Sequence, residues 1–412
     1  MHRIIAALWV ASSCVAMAQA QDTIFTLEQA VAAAGGSAPA ADAAQADIAA
    51  AQAARAPSMR FVPIPNCKPR WKISPDPAYG GFSQAETTVG LAIAVELGGQ
   101  RSARMAATDA QTSRAQIAAA LAQADIRLQV TTLYVDAIAA ERRVTTVREQ
   151  VRIAQDALRA AQIRVQAGRV SPIEAQRADV ARLNPVAALA RIKRLANANR
   201  AYLARRIGKP MTAPLDTALF DRLPRPVHGP TMATSTGTLA LAAADADVGI
   251  ADAGVRLARS QRIPDLNIGP AVRLLEASNA MAAVFTLTMP IPLFSAGRAA
   301  VTQAHAERTK VEAQRRMTAL DVEQAITDAQ AQADNAAITA RMAGGPALAA
   351  AQESARIARI GYREGKFGQL DLLDAERTLA DTRVAAINAL ATYHNARARL
   401  ERLTTPAPEQ GI

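Results

Sequence analysis

The second half of the chain repeats the first after 197 residues. Corresponding positions include Arg101 and Arg298, Gly168 and Gly365, and Arg205 and Arg402. This spacing is far longer than the roughly 20 to 50 residues of solenoid repeats, so it indicates the duplication of a half-domain. We therefore predict two similar structural repeats joined by a linker and followed by a tail. Their predicted bounds are 21–210 and 232–404 for the repeats, 211–231 for the linker and 405–412 for the tail.

The first 20 residues have the features of a secretory signal peptide. A short basic start at His2 and Arg3 precedes an apolar segment, and small residues occupy the cleavage positions Ala18 and Ala20. Cleavage before Cys14, with acylation of that cysteine, is an alternative. If Cys14 is removed with the signal, only Cys67 remains, so no intramolecular disulfide can form. The sequence predicts an exported protein that is stabilised by burial and assembly.

Alanine dominates the apolar composition. Hydrophobic residues make up 50% of the chain while aromatic residues make up 3%, and small side chains allow helices to approach each other closely. After the signal peptide the sequence contains no run of 18 uninterrupted apolar residues, which argues against a membrane-spanning helix.

Two segments alternate between apolar residues and small or polar ones, as β-strands do. They are residues 86–97 and 282–293, and the similar segment 266–274 predicts a hairpin with the second of them. Strands of about 9 to 11 residues with this alternation are typical of a transmembrane barrel wall. The predicted lipid-facing side chains are Val89, Leu91, Ile93, Val95, Phe285, Leu287 and Met289. An ordinary soluble sheet with one buried face is the alternative.

The first repeat should contain a partner strand within residues 59–80, although the prolines and charges there are unusual for a membrane strand. Each chain then has four strands, which cannot close a barrel. Because an unpaired strand edge is not stable in lipid, the pattern predicts that several chains share one barrel.

Long helical patterns follow each predicted hairpin. Apolar residues from Leu133 to Val165 alternate spacings of four and three, which is the pattern of a coiled-coil seam. If residues 101–166 form one helix, it is about 100 Å long. The second copy should kink or restart at Gly344-Gly345-Pro346. A plain antiparallel coiled-coil spacer is the alternative.

A glycine turn ends each long helix, at Gly168 and at Gly365. The next helix starts at once, with a capping box at Ser171 and a proline at its first position in the first copy. Each repeat therefore contains an antiparallel helix pair whose tip lies at the glycine, far from the strands.

Three segments resemble the TolC-like outer-membrane factors of Gram-negative tripartite efflux pumps. Thr-Leu-Glu-Gln-Ala-Val at 26–31 is similar to the family's opening helix. Val-Glu-Leu-Gly-Gly-Gln-Arg at 95–101 is similar to the strand-to-helix junction of the heavy-metal, CzcC-like branch, with Gly98, Gly99 and Gly297 as junction glycines of the two repeats. Tyr-Arg-Glu-Gly at 362–365, followed by Leu-Asp-Leu-Leu-Asp-Ala at 370–375, resembles the periplasmic tip.

The resemblance implies a mostly α fold with a small β part: a homotrimer whose long helices form a periplasmic tunnel joined to a shared twelve-stranded barrel. It also implies an outer-membrane location with a large periplasmic portion, a periplasmic adaptor protein and an inner-membrane transporter of the resistance-nodulation-division (RND) class. The implied function is a passive exit duct, with divalent heavy-metal cations as the first expectation for cargo. A duct for drug efflux or for type I secretion, and a soluble periplasmic coiled-coil adaptor, are the alternatives.

The resemblance also implies roles for residues near the tips. In the family, carboxylates near the second tip line the closed aperture, which corresponds here to Asp371 and Asp374. The alternative for Asp371 is that an acid in the first turn of a helix interacts favourably with its dipole. Contact with the adaptor is implied for Gly168, Arg169, Gly365 and Lys366.

Nothing in the sequence indicates catalysis, a cofactor or a metal site. The four histidines, His2, His228, His305 and His394, are far apart, and no phosphate loop, nucleophile elbow or Cys/His cluster occurs. The net charge is +11, but 47 basic and 36 acidic residues alternate along helix faces. Because the signal peptide also removes the chain from nucleic acid, we expect no nucleic-acid partner.

Overall fold

The protein is mostly helical with one small sheet, which confirms the predicted fold class. The computed structural model describes residues 24–59, 86–90, 93–222, 234–275, 278–291 and 297–408. The predictions for the signal peptide with Cys14, for the strand within 60–80 with Cys67, for Leu91, for His228 and for the linker from 223 onwards lie outside these ranges. The described helices are α1 (Leu27–Gly35), α2 (Pro39–Met59), α3 (Gln100–Gln166), α4 (Pro172–Ile207), α5 (Leu239–Ser260), α6 (Arg298–Met342), α7 (Leu348–Arg363) and α8 (Gln369–Leu403). The strands are β1 (Glu86–Gly90), β2 (Ile93–Val95), β3 (Leu266–Leu275) and β4 (Ala280–Thr288).

Helix α3 is continuous over 67 residues, which corresponds to about 100 Å. Its counterpart in the second repeat is interrupted by a five-residue π-helix, Ala343–Ala347, between α6 and α7. Gly345 has non-helical backbone angles there, and Pro346 has no N–H to donate. The predicted restart at Gly344-Gly345-Pro346 is therefore present, and it makes the second repeat less regular than the first.

The helices form a layer of four columns. The contacts between elements give the order of the columns. The first column contains α2 and α4, the second α3, the third α5 and α8, and the fourth α6 and α7. Helix α3 contacts both α2 and α4, and α6 contacts both α5 and α8. The two repeats use the same contacts, since α3 packs on α2 and α4 as α6 and α7 pack on α5 and α8. The columns of α2/α4 and of α6/α7 are the two edges of the layer in a single chain.

No helix in the described parts of the chain combines the length and the apolar character that crossing a membrane requires.

Local capping explains where several helices start. Thr26 accepts a hydrogen bond from the Gln29 N–H at 3.3 Å, and the Gln29 side chain accepts one from the Thr26 N–H at 3.0 Å, which is a capping box for α1. Ser171 caps α4 by accepting from the Ile173 N–H, with Pro172 at the first helical position. Thr238 caps α5 in the same way.

The four strands form one antiparallel sheet. Strand β3 lies in the middle, pairs with β4 from Asn267 to Leu275 and pairs on its other side with β1 and β2. The predicted hairpin of 266–274 with the following strand is present. Strand β4 ends at Thr288, before the predicted end, because Pro290 cannot donate to the ladder. Met289 therefore lies just after the strand.

The largest buried cluster surrounds Tyr134 on α3, which is 1% exposed. Its hydroxyl donates to the Phe25 carbonyl at 2.7 Å and accepts from the Asp216 N–H at 3.0 Å. Burial raises the pKa of Tyr134 to about 12, so the hydroxyl stays neutral. Since Phe25 and Leu215 form a parallel bridge, this side chain ties the start of the described chain and the linker to α3.

Replacing Tyr134 by Phe should destabilise the protein by about 0.5 to 1.5 kcal/mol, because the hydrogen bonds of the hydroxyl are lost while the Asp216 N–H still donates to the Phe25 carbonyl at 3.1 Å. Thermal or denaturant unfolding followed by circular dichroism would measure this. Tyr393→Phe is the matched control, because the Tyr393 hydroxyl makes no hydrogen bond within the described residues. Equal stability of the two variants would contradict the role assigned to Tyr134.

The burial of His394 predicts that the folded protein loses stability in acid. It is 8% exposed on α8, lies against the Phe220 ring, and its Nε2 is 3.3 Å from the Phe220 carbonyl oxygen. Burial, with a smaller effect of Arg397, lowers the pKa of His394 below its usual 6.5. Because the pKa is lower in the folded state than in the unfolded state, the stability associated with a neutral His394 is complete above pH 6.5. It is lost as the pH falls through the folded-state pKa.

The melting temperature of the native protein should therefore fall between pH 7.5 and pH 5.5. The fall should be smaller in His394→Gln, which cannot gain the charge. Parallel curves for the two proteins across this range would show that His394 does not cause the acid sensitivity.

Candidate functional site

The two helix pairs end in turns of the same geometry. Gly168 and Gly365 both have positive φ, at 66° and 73°. The residue after each glycine donates its N–H back across the turn, from Arg169 to the Arg164 carbonyl at 2.9 Å and from Lys366 to the Gly361 carbonyl at 2.8 Å. This is the Schellman arrangement, which glycine stabilises because its left-handed conformation carries no Cβ penalty.

The four predicted tip residues therefore lie at the two tips: Gly168 and Arg169 on one, Gly365 and Lys366 on the other. Lys366 pairs with Glu364 at 2.7 Å on the same turn and remains largely exposed. These positions leave the tips open to a partner, and contact with an adaptor stays a prediction.

Aromatic side chains brace the second tip. A Cβ on Gly361 would lie 2.2 Å from the Phe367 ring, so the ring covers this glycine. The Arg164 guanidinium of the first tip lies over the Tyr362 ring of the second, 4.2 Å from its centroid. A cation over an aromatic ring contributes about 0.5 to 2 kcal/mol, so this contact holds the two tips of one chain together.

Two ion pairs link the helices above the tips. Glu376 on α8 is buried, and both of its carboxylate oxygens accept from the Arg359 guanidinium on α7. The carboxylate raises the pKa of Arg359 above its ordinary value, chiefly through this hydrogen bond. On the other side of α8, Arg383 donates to Glu149 of α3 at 2.6 Å. Together these pairs fix α8 between α7 and α3.

Sequence reasoning missed the pair of Arg359 and Glu376. Arg359 lies six residues before Gly365 and Glu376 lies eleven residues after it, so no equal spacing about the turn marks the pair.

The two predicted aperture carboxylates have different environments. The Asp371 carboxylate accepts from the Gly368 N–H at 2.9 Å at the start of α8. This hydrogen bond occupies one carboxylate oxygen, and the first-turn position also suits the alternative for Asp371, a favourable interaction with the helix dipole. Asp374 lies one turn further along and lines a groove. That either residue lines an aperture stays a prediction.

The groove with Asp374 has a volume of about 610 Å³ and lies across three neighbouring columns. Its walls come from residues 150–154 of α3, 181–191 of α4 and 370–381 of α8. Its charged residues are Asp374, Glu376, Asp381, Arg191 and Arg377, and Asp374 makes no hydrogen bond or ion pair within the described residues.

The predicted junction glycines lie where the sheet meets the long helices. Gly99 and Gly297 are the N-cap residues of α3 and α6. Gly98 lies so close to α5 that a Cβ would be 2.3 Å from the Ser260 carbonyl oxygen. The neighbouring Gln100 side chain accepts from the Gly98 N–H at 2.9 Å and donates to the Ile263 carbonyl at 2.8 Å. The sheet and helix layer are therefore rigidly joined at this point.

Five of the predicted lipid-facing residues lie in the described strands and share one face of the sheet. Ile93 and Leu287 both lie opposite Ile268, and Val89 lies opposite Val272. Val95 and Phe285 have the same alternation along their strands, and Phe285 is 70% exposed. The other face carries small or polar residues, with Arg273 donating to Thr88 at 3.2 Å. Such a face is suited to lipid, but its contact with lipid stays a prediction.

Gly365→Ala should destabilise the second tip by about 1 to 2 kcal/mol, because a Cβ is forced into the left-handed region. Limited proteolysis at the tip would measure the effect as faster cleavage. Gly249→Ala in the middle of α5 is the control, since a Cβ there meets nothing within 4 Å and alanine favours a helix. Equal cleavage rates in both variants would contradict the turn geometry.

Asp371→Ala and Asp374→Ala should differ in effect. Loss of the Asp371 hydrogen bond should cost about 0.5 to 2 kcal/mol of local stability, as for other helix caps. Asp374→Ala should leave stability nearly unchanged and raise single-channel conductance in planar bilayers, as expected for an aperture residue. Unchanged conductance in Asp374→Ala and in the double variant would remove both carboxylates from the aperture.

Comparison with known proteins agrees with this architecture. Residues 237–405 match the family described as outer membrane efflux protein. The chain is similar to the cobalt-zinc-cadmium resistance protein CzcC of Cupriavidus metallidurans, with 28% identity over 78% of this chain and 77% of that protein. It is also similar to the nickel-cobalt-cadmium resistance protein NccC of Alcaligenes xylosoxydans xylosoxydans, with 26% identity over 55% of this chain and 52% of the relative.

Solved structures show the same fold. The structure of CusC, described in connection with transmembrane channel formation, aligns with a TM-score of 0.76 and 16% identity over 93% of both chains. A membrane protein from Pseudomonas aeruginosa aligns with a TM-score of 0.75 and 20% identity over 94% of this chain and 91% of that one. The alternative of a soluble adaptor does not account for this agreement along almost the whole chain. Residues 237–405 match the outer membrane efflux protein family and the chain has the fold of the TolC-like channels, so it is an efflux channel of the outer membrane.

Proposed function

We propose that three copies of the chain form one exit duct, through which a tripartite RND-type pump releases divalent metal cations to the exterior. The observation that carries the assembly is the open layer of four helical columns with two free edges. A layer with two free edges encloses a tunnel only when it curves and further copies continue it, and three copies would supply twelve columns.

The sheet supports the same assembly. Strand β3 is paired on both sides, whereas among the described strands β4 and the strand formed by β1 and β2 each have one unpaired side. Unpaired backbone groups are costly in lipid, so these edges have to be satisfied by another strand. With the partner strand expected within 59–80, three chains would contribute twelve strands to a shared barrel.

The tips are the proposed site for the periplasmic adaptor. Both turns are fixed by the same backbone hydrogen bonds, and they present exposed basic groups at Arg169 and Lys366. A rigid turn loses little conformational entropy when a partner binds. The adaptor would connect the duct to the inner-membrane transporter, which supplies the energy for export.

Divalent cations are the proposed cargo because two relatives are named for resistance to cobalt, zinc, nickel or cadmium. The groove beside Asp374 agrees with this, since Asp374 and Asp381 would place carboxylates along the proposed path. The described residues contain no cluster of three or more His, Cys, Asp or Glu that could hold a metal ion. A conduit needs only weak binding, because an ion that binds tightly leaves slowly.

Deletion of the gene should sensitise cells to cobalt, zinc and cadmium, and the wild-type gene should restore growth. The minimal inhibitory concentration of each metal, measured beside that of lipophilic drugs, would test the cargo. A truncated gene that lacks residues 1–20 is the control, because the protein would remain inside the cell. Sensitivity to drugs alone would replace the metal cargo by drug efflux.

A further inference from the structure

We propose that a hinge crosses the helix layer about 25 to 30 Å from the tips, and that the section between this hinge and the tips moves as one unit. Such a hinge concerns a movement within one chain, so it goes beyond the duct proposed above and holds for any cargo. It consists of features in all four helical columns that lie at the same height.

Both edge columns have a helix break at this height. Pro185 lies inside α4, 17 residues after the tip glycine Gly168. Because proline has no N–H, the Ala181 carbonyl loses the hydrogen bond that residue 185 would donate in a regular helix. Gly345, with φ −104° and ψ −105° outside the helical region, lies between α6 and α7 and 20 residues before Gly365. Helices bend sharply at prolines and at π-helices of this kind.

The two inner columns are continuous and are joined at the same height. Helices α3 and α8 contain no glycine or proline. Arg383 of α8 donates to Glu149 of α3 at 2.6 Å, and these residues lie 18 and 19 residues from Gly365 and Gly168. The breaks and the ion pair therefore lie within about one helical turn of each other in height. A break in each edge column beside a joined central pair is the arrangement of a hinge line with its pivot at the centre.

The break in the second repeat does not compensate for an inserted residue. The stretch 101–168 and its counterpart 298–365 have the same length. The first repeat spans this length with one continuous helix, so a continuous helix would also fit in the second. Likewise, the position of α8 equivalent to Pro185 is Thr382, inside a regular helix. The chain thus has breaks at positions where its own duplicate shows that the fold needs none.

Loose packing at this height leaves room for bending. The groove of about 610 Å³ described above has Pro185, Gln150 of α3 and Asp381 of α8 in its walls. None of the five residues of Ala343–Ala347 is buried, and a Cβ on Gly345 would meet nothing within 4 Å. A bend at this height therefore displaces few closely packed side chains, whereas bending through a close-packed interior would strain it.

Specific contacts hold the section below the hinge together. The Arg164 guanidinium of the first helix pair lies over the Tyr362 ring of the second, and Arg359 pairs with the buried Glu376. All four residues lie within 11 residues of a tip glycine. Because the two helix pairs are joined in this way, a bend at one edge break is accompanied by a bend at the other. The tips, which carry the proposed adaptor site, tilt together as a section of fixed shape.

Spin labels on the two sides of the hinge test the proposal in the full chain, extracted from membranes in a Cys67→Ser background. One pair, Gln332→Cys with Ser354→Cys, spans the break in the second repeat, and another, Arg177→Cys with Asn197→Cys, spans the break in α4. All four labelled side chains are exposed. Co-expression with an excess of chain without these cysteines leaves one labelled copy in most assemblies. Double electron–electron resonance should give a broad distance distribution for each pair.

Making one edge helix regular should stiffen both repeats. In the variant Gly344→Ala/Gly345→Ala/Pro346→Ala, both distributions should narrow by about half, because alanine favours a continuous helix and the tip section moves as one unit. Pro185→Thr, which introduces the residue found at the equivalent position of α8, should also narrow both. Gly254→Ala in α5 is the matched control and should change neither, since a Cβ there meets nothing within 4 Å and the residue lies far from the hinge.

Distributions that neither variant narrows, whatever their width in the wild type, would overturn the hinge. Narrowing of only the pair beside the substitution would show two independent bends and would overturn the movement as one unit. Both distances lie within one chain, so they can be read separately from assembly and cargo. A wild-type protein that is monomeric, with broad distributions that both variants narrow, would overturn the proposed trimer and support the hinge.

Discussion

The structure depends on lateral contact between very long antiparallel helices. A helix of 67 residues cannot fold back on itself, so it has to be stabilised by neighbours along its whole length. Alanine provides most of the contact surface: eight of the 17 buried residues of α3 are alanine. Small side chains allow close approach but bury little apolar area per residue. A single layer of such helices is therefore stabilised by many small contacts, to which the ion pairs between columns add.

A few strong features fix that layer where it has to be rigid. Tyr134 ties the linker to α3 at mid-height, Gln100 joins the sheet to the helices at one end, and the two Schellman turns close the other. Near the tips, Arg164 over Tyr362 and Arg359 with Glu376 hold the two helix pairs together. The protein thus combines regular columns with a small number of specific polar contacts, which is what a conduit of fixed shape needs.

Periodicity and turn chemistry were sufficient to predict much of this fold. The repeat, the continuous helix after Arg101, the turns at Gly168 and Gly365 and the hairpin of β3 with β4 all follow from local patterns. The end of β4 did not, because its apolar alternation continues past the point where Pro290 stops the pairing. The role of Asp371 could not be decided from sequence, since an acid in the first turn of a helix can interact with the dipole or line a pore equally well. Arg359 with Glu376, and Arg164 with Tyr362, join segments from different helices, so no local pattern reveals them.

The central claim is that three copies share one tube. Electron microscopy of the mature protein, extracted from outer membranes in mild detergent, tests it most directly. The account predicts particles with three-fold symmetry and a tube of about 100 Å or longer, as the length of α3 requires. Thin monomeric rods that stay soluble without detergent would contradict it.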